Sequence, residues 1–253
     1  MNKKNRRRMS KGAAAYITVG ALLIIVVTIL GMSVFLKIME IEVEGESMYA
    51  KGDIISVSGI MSGDNLMFVD TGLATRRIHT AMPFISDVKI TRVLPSSIRI
   101  EVTESTALAT ITFRDSVLVI DSTGRVLKQA DSAPEGLIEI RGINLADASE
   151  GSQLRPELGG EMQLQYMRDI LAAIEKEGIQ GDVSYLDVTY SATITLGYSE
   201  RFRVILGGPS QARSKINQLP GIVEGIEAIS TTNVKGDIDM SNPSGEWRFN
   251  ESW

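Results

Sequence analysis

Few side chains in this sequence have the types and spacing that catalysis requires. His79 is the single histidine and there is no cysteine, which excludes a zinc site built from the usual nitrogen and sulfur ligands. A Ser-His-Asp triad would have to use His79, yet no Gly-x-Ser-x-Gly motif accompanies it. His79 follows Arg76, Arg77 and Ile78 in a segment with helical spacing, which is typical of an exposed or half-packed histidine.

Ser86 and Lys89 match the Ser-x-x-Lys spacing of penicillin-binding enzymes. That chemistry needs the lysine one helical turn away from the serine. Residues 85–93 alternate as a strand does, and a strand places residues three apart on opposite faces. The Ser-Asp-Asn and Lys-Thr-Gly partners are absent as well, so we interpret the match as coincidental.

Two further groups have residue types that bind ions. Asp237 and Asp239 share one face of a predicted strand, as calcium ligands or a catalytic pair would, but no third acidic residue stands at a matching offset. Gly207, Gly208 and Pro209 precede a predicted helix, whose N-terminus can hold an anion, but the Lys-[Ser/Thr] of a phosphate loop is missing. We expect solvated carboxylates, a tight turn, no metal, no cofactor and no enzymatic activity. An enzyme that uses Asp237 or Asp239 stays an alternative.

An uncharged run of 25 residues, 12–36, dominates the first part of the chain. As a helix it would rise about 37 Å, enough to cross a hydrocarbon core of ~30 Å. Six cations precede the run and four glutamates closely follow it. This asymmetry predicts a basic cytoplasmic tail at residues 1–11, a single transmembrane helix at residues 12–36 and an extracytoplasmic remainder. A cleaved signal peptide is the alternative, although the apolar run of such peptides is shorter.

Charge and cysteine content restrict what the rest of the chain does. Removing the six N-terminal cations from the formal net charge of −5 leaves −11, which argues against binding nucleic acid. Without cysteine there is no disulfide, so stability must come from ordinary hydrophobic cores.

The hydrophobic patterns predict two folded regions of the α+β class after the anchor. Residues 38–105 read as β-α-α-β-β, a unit large enough to fold as a domain. Residues 106–240 read as a mainly antiparallel β domain that begins with strands at 108–113 and 117–121. It has one or two helices, at about 160–176 and from 210 to about 221 or 227, and its longest irregular stretch is residues 131–160. A tail, residues 241–253, follows and holds both tryptophans.

Several motifs in this order resemble those of the FtsQ/DivIB family of bacterial cell-division proteins. They are Ile41-Glu-Val-Glu-Gly45, Arg92-Val-Leu-Pro-Ser-Ser-Ile-Arg-Ile-Glu-Val-Thr-Glu104, Val119-Ile-Asp-Ser-Thr-Gly-Arg-Val-Leu127, Val204-Ile-Leu-Gly207, Lys215-Ile-Asn-Gln-Leu219 and Ile238-Asp-Met240. One departure is Glu104-Ser-Thr106, where the family usually has Glu-Arg-x-Pro. The resemblance implies that residues 38–105 are a POTRA domain and that the protein is a non-enzymatic scaffold at the division septum.

Partner binding is expected at a sheet edge, because edge strands carry unpaired backbone groups. Residues 234–240 read as the last strand, with nothing predicted to cover it. The resemblance implies FtsB-like and FtsL-like partners, extending to FtsW/FtsI-type synthases, and places partner binding at Ile238, Met240, Ser244, Gly245 and Trp247. In the POTRA domain, the strand at residues 98–102 is the corresponding expectation, through two residues, Ile98 and Ile100. A POTRA chaperone or assembly factor for other exported proteins stays an alternative function.

Overall fold

The computed structural model describes residues 11–208, 211–230, 234–242 and 244–251. Within them the chain forms two compact units. The first comprises the chain up to Ile78 together with Asp87–Thr103, and the second comprises His79–Ser86 together with the chain from Glu104 onward. Helices and strands occur in both, which confirms the predicted α+β class.

The first helix, α1, comprises Lys11–Phe35. Large apolar side chains between Tyr16 and Val27 are exposed along it. Across the described part of the chain, no helix is both long and apolar enough to span a membrane. The predicted basic tail lies outside the described residues except for Lys11. The structure therefore has a helix where the anchor is predicted, and the spanning itself stays a prediction.

The predicted β-α-α-β-β order is confirmed after α1. The elements are β1 (Glu40–Glu44), α2 (Lys51–Ser58), α3 (Thr71–Ala81), β2 (Ile85–Val93) and β3 (Ser97–Glu104). The strands form a three-stranded sheet in the order β1-β3-β2, and β1 runs parallel to β3. Local signals end and begin the helices as expected: Gly59 closes α2 with a φ of 72°, and Asp70 Oδ1 accepts a hydrogen bond from Leu73 N in the first turn of α3.

Because β3 has a neighbour on both sides, it is the central strand of its sheet. Ile98 and Ile100 on β3 are 0% exposed. The expectation that these two side chains form a partner surface is therefore corrected: they belong to the hydrophobic core. Alternation along the strand fixed which face is apolar, but it does not distinguish a covered face from a binding face.

The second unit is built on one large sheet. Its elements are β4 (Ala109–Phe113), β5 (Ser116–Ile120), β6 (Val126–Ala130), β7 (Ile138–Arg141), β8 (Leu145–Asp147), β9 (Arg155–Pro156), α4 (Glu161–Glu177), β10 (Val183–Asp187), β11 (Ile194–Tyr198), β12 (Phe202–Gly207), α5 (Ala212–Ile229), β13 (Gly236–Asp239) and β14 (Arg248–Glu251). Nine of the strands form the order β14-β13-β12-β11-β10-β7-β4-β5-β6, and β8 pairs with β9 separately.

Among the nine described strands of this sheet, five neighbouring pairs are antiparallel, as expected, and three are parallel, so the sheet is mixed. The pairs β4–β7, β7–β10 and β12–β13 are parallel. Parallel neighbours need a crossover connection, and the helices provide two of these: α4 lies between β7 and β10 in the sequence, and α5 lies between β12 and β13. The helices contact each other and bury apolar stripes that include Met167, Ile170 and Ile216.

Candidate partner-binding edge of the sheet

The sheet of the second unit ends in a strand that the sequence patterns did not predict. β14 pairs antiparallel with β13, matching Ile238 to Phe249 and Asp239 to Arg248. The expectation that residues 234–240 form a free edge is therefore wrong, because β14 covers that edge. Among the described strands, β14 is the one at this end of the sheet.

Phe249 attaches β14 to the hydrophobic core. Its ring meets the ring of Phe202 edge-on, with centroids 6.1 Å apart and planes at 72°, a favoured aromatic geometry. Gly236 permits the close approach of the strand, because a Cβ at this position would lie 2.3 Å from the backbone oxygen of Asn250. An aromatic residue on β14 and a glycine on β13 thus fix how closely the two strands pack.

The connection from β13 to β14 is held by hydrogen bonds between described residues. Asp239 Oδ1 accepts one from Ser241 N at 2.8 Å. The side-chain oxygen of Asn242 accepts another from Ser244 N at 3.0 Å, and the backbone carbonyl of Asn242 accepts one from Gly245 N at 3.1 Å. Hydrogen bonds from Ser241, followed by the charge of Arg248, hold the pKa of Asp239 below its ordinary value.

The backbone groups that face the open side of β14 follow from the register. Gly236 N and Met240 N donate to carbonyls of Arg201 and Ile205, before and in β12, so even-numbered residues of β13 point toward β12. Asp237 and Asp239 therefore pair with Asn250 and Arg248 of β14. The remaining N–H and C=O groups, those of Phe249 and Glu251, point away from the sheet.

The residues that the sequence analysis assigned to partner binding fall into two groups. Ile238 and Met240 are buried, with 0% and 4% exposure, so their side chains belong to the core. Ser244, Gly245 and Trp247 are exposed, and Trp247 directly precedes β14. The missed residues are Arg248 to Glu251. The alternation of Trp247 and Phe249 with Arg248 is the signal that could have found this strand.

The opposite end of the sheet is covered. The terminal strand there, β6, is bonded along its outer side to the segment at residues 149–153. Gly151 N donates to the Val126 carbonyl at 2.8 Å, Val126 N to the Ser152 carbonyl at 2.9 Å, and Gln129 N to Glu150 Oε1 at 2.8 Å. Of the two ends of the large sheet, β14 is therefore the one suited to adding a strand.

The residues weighed for catalysis have structural partners. Lys89 forms an exposed ion pair of 2.7 Å with Glu101, and the hydrogen bond that Lys89 donates to Glu101 raises the pKa of Lys89. Ser86 and Lys89 both lie on strand β2, as predicted. Arg125 Nη2 donates to the His79 carbonyl at 2.7 Å.

The carboxylates of Asp237 and Asp239, both on β13, also have hydrogen-bond partners. Asp237 pairs with the guanidinium of Arg203, whose Nε lies 3.0 Å from Asp237 Oδ1, and Asp239 accepts from Ser241. Within the described residues, no cluster of three or more His, Cys, Asp or Glu side chains is placed to hold a metal ion. Pro209, in the predicted tight turn that was weighed for anion binding, lies outside the described residues.

Comparison with known proteins shows similarity to bacterial cell-division proteins. Residues 36–105 match the model described as POTRA domain, FtsQ-type. The cell division protein DivIB of Clostridium tetani is 26% identical over 78% of this chain and 73% of its own length. The DivIB of Clostridium botulinum is 26% identical over 94% of this chain and 90% of its own.

The chain is similar to the cell division proteins DivIB and FtsQ over most of its length. A further relative, the cell division protein FtsQ of Corynebacterium glutamicum, is 34% identical over 48% of this chain and 55% of its own length. The FtsQ-type POTRA match and these cell-division relatives agree with the resemblance found in the sequence.

Proposed function

We propose that this chain is a member of the FtsQ/DivIB family and a membrane-anchored scaffold that takes up an extended segment of an FtsB-like division protein along β14. The observation that carries the proposal is that β14, next to the exposed Trp247, has no further strand on its outer side within the part of the chain that the structure describes. Strand addition obtains affinity from backbone hydrogen bonds and specificity from neighbouring side-chain pockets. The backbone groups of Phe249 and Glu251 would provide the hydrogen bonds that give affinity, and the side chain of Trp247 would provide specificity.

The anchor in this proposal is the uncharged run at residues 12–36. Six cations on its N-terminal side favour a cytoplasmic N-terminus, which places both folded units on the outer side of the cell membrane. FtsL-like proteins and FtsW/FtsI-type synthases are the further partners that family membership suggests. Ser244 and Gly245 lie in the exposed connection beside the edge and belong to the proposed contact surface.

The test is calorimetric titration of the chain with the extracytoplasmic segments of FtsB-like and FtsL-like proteins from the same organism. Glu251→Pro removes an outward backbone N–H from the exposed residue Glu251. Glu251→Ala is the matched control, because it changes the same side chain and keeps the N–H group. We expect Glu251→Pro to lose binding and Glu251→Ala to retain it.

Trp247→Ala tests the side-chain contribution separately, and we expect weaker binding with an unchanged fold. Equal binding by Glu251→Pro and Glu251→Ala would contradict strand addition at β14. Absence of binding by the unmodified protein would contradict the FtsB-like assignment itself.

A further inference from the structure

Six exposed apolar side chains of the first unit lie at the end of that unit where α1 ends. They come from four short segments: Met39 is 77% exposed, Met61 67%, Met67 44%, Phe68 76%, Val93 36% and Leu94 67%. We call these six residues the juxta-helix patch. Single exposed apolar residues are ordinary, but a group of large ones marks a surface that binds something.

Hydrogen bonds fix two of the segments beside the chain that leaves α1. Leu66 N donates to the Leu36 carbonyl at 2.7 Å, Ile38 N to the Asp64 carbonyl and Gly63 N to the Ile38 carbonyl, both at 2.8 Å. Since one residue extends at most about 3.6 Å, the backbone of Phe68 lies within roughly 10 Å of Leu36. Met61, Met67 and Phe68 are therefore held next to the helix end.

The turn between β2 and β3 also lies at the end of the unit where α1 ends. Because β1 is parallel to β3, the start of β3 lies beside the start of β1. Met39 N donates to the Ser96 carbonyl at 2.8 Å, which puts Val93 and Leu94 beside Met39. The four segments thus converge at the end of this unit where α1 ends.

Buried residues and hydrogen bonds hold the segments that carry the patch. Leu66 and Ile60 are 0% and 4% exposed. Arg92 Nε donates to the Leu66 carbonyl at 2.8 Å and Arg92 Nη2 to the Val69 carbonyl at 2.7 Å. These bonds hold residues 66–69 in place while Met67 and Phe68 stay exposed.

Two acidic groups near the patch, those of Asp64 and Asp70, accept hydrogen bonds from the backbone, whereas Glu40, next to Met39, is exposed. Asp64 Oδ2 accepts from Met61 N, and Asp70 Oδ1 accepts from Leu73 N, both at 2.9 Å. The exposed cation Lys37 directly follows Leu36, and its backbone forms an isolated antiparallel β-bridge with Asn65. Large apolar side chains bordered by a cation fit the headgroup region of a bilayer, in which amphipathic surfaces bury their apolar side by about 5–10 Å.

We propose that the juxta-helix patch docks into the outer headgroup region of the bilayer that holds α1. This inference rests on the proposed anchor, with which the patch is continuous along the backbone: α1 ends at Phe35, and the carbonyl of the next residue, Leu36, accepts the hydrogen bond from Leu66 N. Docking of this kind fixes the orientation of the first unit on the membrane instead of leaving it to swing on a linker.

The chain has no cysteine, so single cysteines can carry an environment-sensitive fluorophore at chosen positions. We would label Phe68→Cys and Met61→Cys in the full chain reconstituted into vesicles of phosphatidylethanolamine and phosphatidylglycerol. Tyr190→Cys, at a residue 74% exposed on the second unit, is the aqueous control. Leu23→Cys, in the uncharged run, reports the anchor.

We expect the Phe68 and Met61 probes to shift to the blue and to be quenched by lipids spin-labelled near the headgroup, while the Tyr190 probe is quenched by aqueous iodide. A lipid-embedded Leu23 probe with aqueous Phe68 and Met61 probes would overturn the docking and leave the anchor intact. An aqueous Leu23 probe would overturn both. Protection of Phe68 in native membranes but not in pure lipid vesicles would overturn the lipid assignment in favour of a protein partner.

Discussion

The ammonium group of Lys215 on α5 donates a hydrogen bond to the carbonyl of Leu206 on β12 at 2.6 Å. Lys215 is 6% exposed and lies among the apolar residues that α5 packs on the sheet. The bond therefore ties the crossover helix to the strand that precedes it. It also connects two of the sequence motifs: Leu206 belongs to the motif that ends at Gly207, and Lys215, eight residues after Gly207, begins the next one.

Burial lowers the pKa of Lys215 below its ordinary value of 10.5, and the nearby charge of Asp239 opposes this only in part. Between the folded-state pKa and 10.5 the unfolded chain binds more protons, so the free energy of unfolding rises with pH in that window. Each unit of depression contributes about 1.4 kcal/mol. We expect the stability of the wild type relative to Lys215→Met to increase as the pH approaches 10.5, measured by urea unfolding.

Lys176→Met is the control for this measurement, because Lys176 is exposed at the end of α4. Equal pH profiles for Lys176→Met and Lys215→Met would contradict the assignment of a depressed pKa to Lys215.

Asp121 organises the turn between β5 and β6 and is 4% exposed. Its Oδ1 accepts hydrogen bonds from Thr123 N, Thr123 Oγ1 and Arg125 N at 2.9, 2.7 and 3.0 Å, and its Oδ2 accepts from Ser105 Oγ at 2.9 Å. Asp121→Ala leaves these four donors, of which the Ser105 hydroxyl is buried, without their acceptor, so we expect a loss of about 2–4 kcal/mol in denaturant unfolding.

Asp121→Asn keeps one oxygen for the three donors on Oδ1 and should lose much less stability. Asp115→Ala, at an exposed turn residue, should be nearly neutral. Similar losses for Asp121→Ala and Asp121→Asn would show that charge, not the number of acceptors, determines the stability of this turn.

Gly236→Ala should release β14 from the sheet. The new Cβ would lie 2.3 Å from the Asn250 oxygen, which the strand pair cannot accommodate without moving apart. We expect faster amide exchange in residues 248–251 and a loss of roughly 1–3 kcal/mol. Gly221→Ala in α5 meets no atom within 4 Å and should be neutral or stabilising. Unchanged exchange in β14 would mean that Gly236 does not set the spacing of the two strands.

Arg92→Lys should loosen residues 66–69 of the first unit. Arg92 reaches the carbonyls of Leu66 and Val69 with two different nitrogens, and a lysine ammonium cannot reproduce that fork. We expect a cost of about 1–2 kcal/mol and faster exchange of the Leu66 amide. Arg155→Lys, at an exposed position of β9, is the control. Equal exchange rates in the two variants would sink this role for Arg92.

The sequence predicted best those elements whose periodicity is long or whose partners are close in the chain. α4 was expected at residues 160–176 and comprises Glu161–Glu177, because an apolar stripe over four turns is unambiguous. The hairpin of β4 and β5 was found for a similar reason, since its turn lies between two alternating runs.

Short strands with distant partners were missed. β7, β8 and β9 all lie between residues 131 and 160, which read as irregular. β7 has only four residues and pairs with β4 and β10 on either side, so what stabilises it as a strand lies far away in the sequence. The same holds for the candidate edge: β14 forms because Phe249 meets Phe202 and Gly236 makes room, and none of this is visible in local spacing.

The shortness of β14 sets a limit on how firmly its edge alone can hold a partner. Four residues with alternating backbone direction present the outward N–H and C=O groups of two residues, Phe249 and Glu251. Four hydrogen bonds at about 0.5–1.5 kcal/mol each sum to about 2–6 kcal/mol, less than the ~8 kcal/mol of a micromolar complex. A partner diffusing freely would leave quickly, whereas one confined to the same membrane meets the edge at a high effective concentration. The edge would then act as a reversible latch that closes when several weakly bound proteins are already gathered in one place.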